Sequence, residues 1–229
     1  MTTSVMCLPY AGAGAGVYRP WQLQESAALR AVPIQVPGRE REFGEPFYRD
    51  FSEAAAKTAR RIREAAADGQ PFIVFGHSFG ALLAYEAVRH LVDTGGPLPR
   101  HLVVSGSVSP SHRQAERLDG DDEEVVARAR AIACRDIPEY ADPRLREILL
   151  PVMRADVNLL ADYTPPARAP LPVPITAIRG DQDHLVPETE WLDWDAFTSA
   201  GFDAVEFAGG HMYVTDWWPE LWKTLEHLV

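Results

Sequence analysis

Short apolar runs rich in β-branched residues alternate along the chain with longer segments in which apolar residues recur at helical spacing. The runs have the length of single strands, as is typical of strands buried between two layers of helices. This order predicts an α/β fold, in which a mostly parallel central sheet carries helices on both faces. The predicted strands cover residues 5–8, 32–36, 72–75, 102–105, 175–178 and 204–207, and the predicted helices cover residues 18–29, 51–67, 80–92, 187–199 and 215–227.

The alternation is interrupted between residues 106 and 174, where no run has the character of a strand. Two helical patterns, at residues 121–133 and 143–163, are followed by TPPARAPLPVP, whose prolines cannot continue a helix and favour extended chain. We therefore expect one domain over residues 1–229, with a helical lid insertion at about residues 107–170 above the carboxyl ends of the strands. A long crossover with one extra helix is the alternative.

Charge and composition restrict the possible partners. Lys and Arg total 22 and Asp and Glu total 33, so the net charge is −11. Proteins that bind nucleic acids need a basic surface, so neither nucleic acid nor an anionic membrane is an expected partner. The apolar runs are too short to span a bilayer and the first residues lack a signal-peptide pattern, so we expect a cytoplasmic protein. Cys7 and Cys134 are predicted to be free thiols, and no metal site is expected.

The strongest chemical signal is FIVFGHSFGALLAYEAV at residues 72–88, where an apolar run meets Gly-His-Ser-Phe-Gly and then a helical pattern. This is the G-x-S-x-G motif in the context of a nucleophile elbow. A strand that turns abruptly into a helix strains its central residue, and side chains two positions on either side would collide, so glycine is needed at Gly76 and Gly80. Ser78 is therefore the predicted nucleophile, at the tip of the sheet.

A serine nucleophile needs a base and the base needs an orienting acid, in the chain order Ser, Asp or Glu, His on this type of sheet. His184 and His211 remain as candidates for the base, and His211 is predicted because it follows the last strand and an Ala-Gly-Gly turn. Two aspartates compete for the role of the acid. Asp183 is favoured because it comes just before the apolar pair Leu185-Val186 and the helix-opening Pro187, where a tight turn lets it accept from the histidine. Asp181 is expected to hydrogen-bond the loop backbone. The histidines set aside because of their positions are His77, His90, His101, His112 and His227.

The glycine-rich LPYAGAGAG, residues 8–16, follows the first predicted strand as a dinucleotide-binding turn would. The G-x-G-x-x-G register requires glycine at Val17 or Arg19, so no nucleotide site is predicted. The loop is instead expected to supply the second backbone donor of an oxyanion hole, with its glycines as slack; the first donor is the N–H of Phe79. Because Pro9 has no N–H, Ala11 is the predicted second donor.

Taken together, these segments resemble the type II thioesterases, discrete α/β-hydrolases that accompany modular polyketide and nonribosomal peptide synthases. By this resemblance Ser78, Asp183 and His211 match the family's triad, and Ala11 and Phe79 match its oxyanion amides. The resemblance covers nearly the whole chain and includes LPYAGAGAGVYRPW at residues 8–21, VPGRERE at 36–42, FGHSFGA at 75–81, GPLPRHLVVSG at 96–106, ILLPVMRAD at 148–156, PITAIRGDQDHLV at 174–186 and AGGHMY at 208–213.

The resemblance implies a monomer that hydrolyses acyl thioesters from the phosphopantetheine arm of acyl or peptidyl carrier proteins, with no metal or dissociable cofactor. A serine esterase for small free esters and a catalytically idle fold that only binds carrier proteins are the alternatives. Four apolar lid residues are expected either to line the acyl pocket or to seal the lid onto the sheet, and three basic ones to meet an acidic carrier protein. They are Leu149, Leu150, Val152 and Met153, and Arg113, Arg117 and Arg128.

Overall fold

Six strands form one sheet in the computed structural model of the chain, which describes residues 2–24, 26–112, 116–133 and 135–229. The strands are β1 Thr3–Leu8, β2 Leu29–Pro33, β3 Phe72–His77, β4 Leu102–Ser105, β5 Ile175–Gly180 and β6 Phe202–Phe207. Their order in the sheet is β2-β1-β3-β4-β5-β6, and every neighbouring pair is parallel. The predicted α/β fold is confirmed, and all six predicted strands overlap strands of this sheet.

Helices connect these strands and cover both faces of the sheet. The α-helices of the described residues are α1 Arg19–Gln22, α2 Phe51–Ala65, α3 Phe79–Asp93, α4 Asp122–Ala133, α5 Pro143–Ala161, α6 Glu188–Leu192, α7 Tyr213–Asp216 and α8 Trp218–Glu226. Short 3-10 helices lie at Ala15–Tyr18, Glu40–Glu42, Pro110–His112, Pro138–Ala141 and Asp193–Phe197.

Two apolar cores, one on each face, hold the sheet between its helices. Along β3, Phe72 and Val74 pack with α2 and α3, whereas Ile73 and Phe75 pack with α1, α7 and α8 on the opposite face. Successive side chains of a strand point to opposite faces, so a strand with both faces covered must be apolar throughout. This is why the strands appear in the sequence as unbroken apolar runs.

The structure corrects the sequence prediction between β1 and α2. The helix predicted over residues 18–29 is only α1 with its preceding 3-10 turn, and β2 begins and ends three residues earlier than predicted. Ser26 turns the chain from α1 into β2, because its hydroxyl accepts from the N–H groups of Ala28 and Leu29 and bonds the Glu226 carboxylate, 200 residues away. That distant partner is invisible to local spacing.

The order of the strands fixes where a site can form. The chain passes from β1 to β2 on one side and then to β3 on the other, so the carboxyl ends of β1 and β3 flank a topological switch point. Helices α4 and α5 lie in the segment predicted as the lid, and their apolar side chains form a third cluster that contacts Ala11, just beyond β1. The lid helices therefore lie against the loop that follows β1.

None of the described helices is long and apolar enough to cross a membrane. Within the same residues there is no group of three or more His, Cys, Asp or Glu side chains that could hold a metal ion. Cys7 is a buried free thiol of β1, and burial raises its pKa far above the ordinary value. The prediction for Cys134 lies outside the described residues.

Candidate active site

Ser78 lies between the last residue of β3 and the first residue of α3, with φ 54° and ψ −116°. Such a positive φ is strained for any residue other than glycine. A Cβ at Gly76 would lie 2.0 Å from the carbonyl oxygen of Gly80, and a Cβ at Gly80 would lie 2.5 Å from the carbonyl oxygen of Leu8. The turn therefore requires both glycines, and it leaves Ser78 half-buried at the carboxyl edge of the sheet.

His211 and Asp183 form a buried pair at the same edge. The Nδ1 of His211 lies 2.8 Å from Oδ2 of Asp183, and their side chains are 4% and 0% exposed. The ring of His211 lies 5.1 Å from the ring of His77, the residue before Ser78. Its Nε2 is buried and has no hydrogen-bond partner among the described residues. Asp183 thus holds Nδ1 of His211 and leaves Nε2 available, close to the elbow.

Backbone contacts lock the loop of the acid onto the loop of the base. Asp181 accepts from the N–H of Gly209 at 2.8 Å, and the N–H of Gln182 donates to the Gly209 carbonyl at 2.9 Å. The other oxygen of Asp183 accepts from the N–H of Leu185 at 3.0 Å. Of the two competing aspartates, the structure therefore places Asp183 against the histidine and Asp181 against the loop backbone.

A second buried histidine lies beside the pair, and sequence reasoning had set it aside. The Nδ1 of His77 lies 2.9 Å from the hydroxyl of Ser105, which lies 2.5 Å from the Tyr213 hydroxyl. Burial, together with the neighbouring His211, lowers the pKa of His77 well below its usual value, so its ring stays neutral. Polar residues at the carboxyl ends of apolar strands, here His77 and Ser105, were the available sequence signal for this network.

The loop after β1 approaches the start of α3, as the close contact of Gly80 with the Leu8 carbonyl shows. Residues 10–13 form a turn in which the Ala13 N–H donates to the Tyr10 carbonyl at 3.1 Å, and Gly12 has φ 79°. The Gly12 N–H donates to Asp156 at 2.9 Å. The N–H groups of Gly12 and Ala13 are thus already bonded, and Pro9 has none, so the geometry favours Ala11 or Tyr10 as a donor toward Ser78.

The glycines of this loop make room for carboxylates. A Cβ at Gly14 would lie 2.3 Å from the carboxyl carbon of Glu40, and the N–H of Gly16 donates to the same carboxylate at 3.0 Å. A Cβ at Gly12 would lie 3.0 Å from the sulfur of Met153 on α5. Gly12, whose φ of 79° favours glycine, is therefore held in a defined turn rather than acting as slack, whereas Gly14 and Gly16 face the movable end of the exposed Glu40 side chain.

The apolar lid residues divide between two environments. Leu150 and Met153 are buried in the lid cluster that contacts Ala11, Leu149 is half-buried against it, and Val152 is buried outside it. Of these residues, Met153 lies against the loop that follows β1, with its sulfur 3.0 Å from the Cβ position of Gly12.

Of the three basic lid residues named from the sequence, Arg117 has acidic partners in the structure. Arg117 pairs with Asp119 at 2.9 Å and with Asp162 at 2.6 Å, so its charge is already balanced by acidic neighbours. Arg128 is half-buried on α4, and Arg113 lies outside the described residues. Of the three, Arg117 is a poor candidate for meeting an acidic partner.

Comparisons with known proteins show the family to which the chain belongs. The thioesterase domain family matches residues 3–229. Thioesterase PikA5 of Streptomyces venezuelae is 31% identical over 229 residues, which cover 98% of this chain and 80% of that protein. The type II thioesterase BorB from the borrelidin biosynthetic cluster superposes with a TM-score of 0.89 at 31% identity, covering 100% of this chain and 94% of that one. ClbQ from the colibactin NRPS/PKS pathway superposes with a TM-score of 0.90 at 25% identity, covering 100% and 97%. The chain therefore belongs to the thioesterase family of α/β-hydrolases and is a hydrolase of the type II thioesterase kind.

Proposed function

We propose that the protein hydrolyses acyl thioesters from the phosphopantetheine arm of carrier proteins in a polyketide or nonribosomal peptide pathway, with Ser78 as the nucleophile. The observation that carries the proposal is the buried Asp183–His211 pair, whose unpartnered Nε2 lies at the sheet edge that presents the strained Ser78. Two similar structures support this class of pathway, because ClbQ comes from the colibactin NRPS/PKS pathway and the type II thioesterase BorB from the borrelidin biosynthetic cluster.

In the proposed first step, Nε2 of His211 takes the proton of the Ser78 hydroxyl while its oxygen attacks the thioester carbonyl carbon. Asp183 accepts from Nδ1, which fixes the tautomer and stabilises the imidazolium that forms. The negative charge that develops on the carbonyl oxygen is met by the N–H groups of Phe79 and Ala11. Phe79 is the first residue of α3, so its N–H has no acceptor within the helix.

The tetrahedral intermediate collapses when the carbon–sulfur bond breaks, and His211 returns the proton to the leaving pantetheine thiolate. Water then attacks the acyl-serine ester, with His211 as the base, and the carboxylic acid leaves as Ser78 recovers its proton. Each group needed for both half-reactions is a residue of this chain, so the proposed reaction uses no metal or dissociable cofactor.

The experiment compares the wild type with Ser78→Ala on an acyl group loaded onto a phosphopantetheinyl carrier protein and on the matching free oxygen ester. We expect the wild type to favour the carrier-bound thioester, and S78A to lose at least ~10³-fold in kcat. The exposed Ser52 supplies the matched control, S52A, which should keep full activity. Full activity in S78A would remove Ser78 as the nucleophile, and a strong preference for the free ester would favour the esterase alternative.

A further inference from the structure

A buried ion pair joins the lid to the loop that follows β2. Arg39 and Asp156 of α5 form a bidentate pair, with nitrogen–oxygen distances of 2.5 and 2.7 Å. Their side chains are only 6% and 4% exposed. Because so little of either side chain is exposed, solvent stabilises these charges only weakly, and their hydrogen bonds must do so instead.

Both members of the pair also bond the loop that follows β1. Oδ2 of Asp156 accepts from the Gly12 N–H at 2.9 Å, and Arg39 donates to the Ala13 carbonyl at 3.0 Å. These contacts hold the Ala11–Gly12 peptide, directly after the proposed oxyanion donor, and the Ala13–Gly14 peptide further along the loop. A loop backbone held at these two points has little freedom to rotate the peptide before them.

The pair is itself held in place from the side of Arg39. The Arg39 Nε donates to the Pro37 carbonyl at 3.2 Å, and the side chain of the buried Gln35 donates to the Arg39 carbonyl at 3.1 Å. Asp156, in turn, is carried by a helix whose Met153 packs against Gly12. The loop after β1 is therefore clamped between a rigid turn and a lid helix.

The rate of an enzyme depends on the residues around an oxyanion donor when that donor must be positioned to within a fraction of an ångström. A contact that serves folding alone would not need to reach the peptide group adjacent to the donor. We propose that Asp156 and Arg39 are positioning residues that aim the Ala11 N–H at the oxyanion, so that the hole is complete only with α5 seated on the loop. This inference rests on the proposed serine mechanism and adds two residues to it.

The test compares two double variants that both lack the buried charges. R39M/D156N keeps an amide oxygen that can accept from the Gly12 N–H, whereas R39M/D156L offers a side chain of similar size with no acceptor. Each is measured for kcat and KM on an acyl-N-acetylcysteamine thioester, for inhibition by a trifluoromethyl ketone that forms an oxyanion, and for amide hydrogen exchange in residues 10–16. The small thioester removes any dependence on carrier-protein binding.

We expect kcat to be ~10–100-fold lower in R39M/D156L than in R39M/D156N, with KM changed less than about threefold. Inhibition by the ketone should weaken in parallel with kcat, since both depend on an oxyanion. Exchange at residues 10–16 should be faster in the leucine variant. Equal kcat in the two variants, or losses carried by KM alone, would overturn the proposal.

Glu86 provides the control for a general loss of lid attachment. This carboxylate of α3 is 9% exposed, accepts from the Tyr163 hydroxyl at 2.7 Å and pairs with Arg168 at 3.4 Å, without contacting the loop after β1. E86Q should keep wild-type kcat. If R39M/D156L does not fold, D156N alone replaces it, because one amide oxygen cannot serve both the guanidinium and Gly12; a kcat equal to that of E86Q would then overturn the proposal.

The outcomes separate this inference from the proposed function. Inactive S78A together with equal double variants would reject the positioning role and keep the serine mechanism. Active S78A would reject the mechanism whatever the double variants show.

Discussion

Substitution of Gly80 by alanine tests the steric basis of the elbow. The added Cβ would lie 2.5 Å from the Leu8 carbonyl oxygen and 2.6 Å from that of Pro9. Both are backbone atoms at the end of β1 and cannot rotate away as a side chain would. Since carbon–oxygen contacts in proteins close to about 3.3–3.6 Å, the start of α3 and the end of β1 must separate by roughly 0.8–1 Å.

Two effects on stability oppose each other in Gly80→Ala. Alanine is favoured over glycine within a helix by about 0.5–1 kcal/mol. Overpacking of a tight contact costs about 1–3 kcal/mol. The clash wins, so we expect the free energy of unfolding to fall by about 1–2 kcal/mol. The same displacement moves Ser78 and the Phe79 N–H relative to Ala11, and a misplacement of about 1 Å costs on the order of 100-fold in rate.

The assays are kcat on an acyl-N-acetylcysteamine thioester and the free energy of unfolding from urea titration. Gly44→Ala is the matched control, because a Cβ there would have nothing within 4 Å. We expect G44A to keep wild-type kcat and stability, and G80A to lose ~10–100-fold in kcat. If G80A matched G44A in both measurements, the argument that a close backbone approach sets the elbow would be refuted.

Two further predictions concern the buried side chains of the site. Asp183→Asn should lower kcat by ~10³–10⁴-fold, because the amide cannot hold the required tautomer of His211, whereas Asp181→Asn should cost far less; equal losses would contradict the assignment of the acid. The pKa of His77 is lowered on folding, so the unfolded chain binds a proton there that the folded protein does not. Above about pH 6.5 neither state binds this proton and the free energy of unfolding is unaffected. Below that pH the unfolded chain gains it, so the free energy of unfolding falls by up to about 1.4 kcal/mol per pH unit. Urea titrations from about pH 7 to about pH 5 should therefore show a shallower acid loss in His77→Gln, and identical slopes would count against the linkage.

The sheet could be predicted from the sequence because its determinants are local. A strand covered on both faces needs an unbroken apolar run, and β4 has the bounds that this pattern predicted. Helices α4 and α5 were predicted from the helical spacing of their apolar residues, which is also a local pattern. The failure between β1 and α2 has a different origin, since α1 ends at Gln22 and the turn into β2 is made by Ser26, whose hydroxyl bonds Glu226 near the other end of the chain.

In the proposed site, too, some residues are identifiable from local sequence and others are not. Ser78 is identifiable because a strand, two glycines and a helix surround it within one short stretch. The contact of His211 with Asp183 depends on the ends of β5 and β6 being neighbours. The sequence does not give this strand order, and the two residues were selected from the chain order of the triad and from their positions after predicted strands. The network of His77, Ser105 and Tyr213 was missed, because its members lie on three different elements, β3, β4 and α7, that are far apart in the sequence.

The loop after β1 shows the limit of local reading most clearly. Alternating glycine and alanine is compatible with slack and equally with tight packing, and only the partners decide between them. Those partners are Glu40, which fills the space left by Gly14, and Asp156, which takes the Gly12 N–H. Asp156 lies three residues after Met153 on the buried side of α5, where a lone carboxylate is costly unless charges and donors meet it. An acid at a core position of a helix, in a chain that also buries an arginine beyond a glycine turn, is the sequence signal that could have linked the lid to the loop.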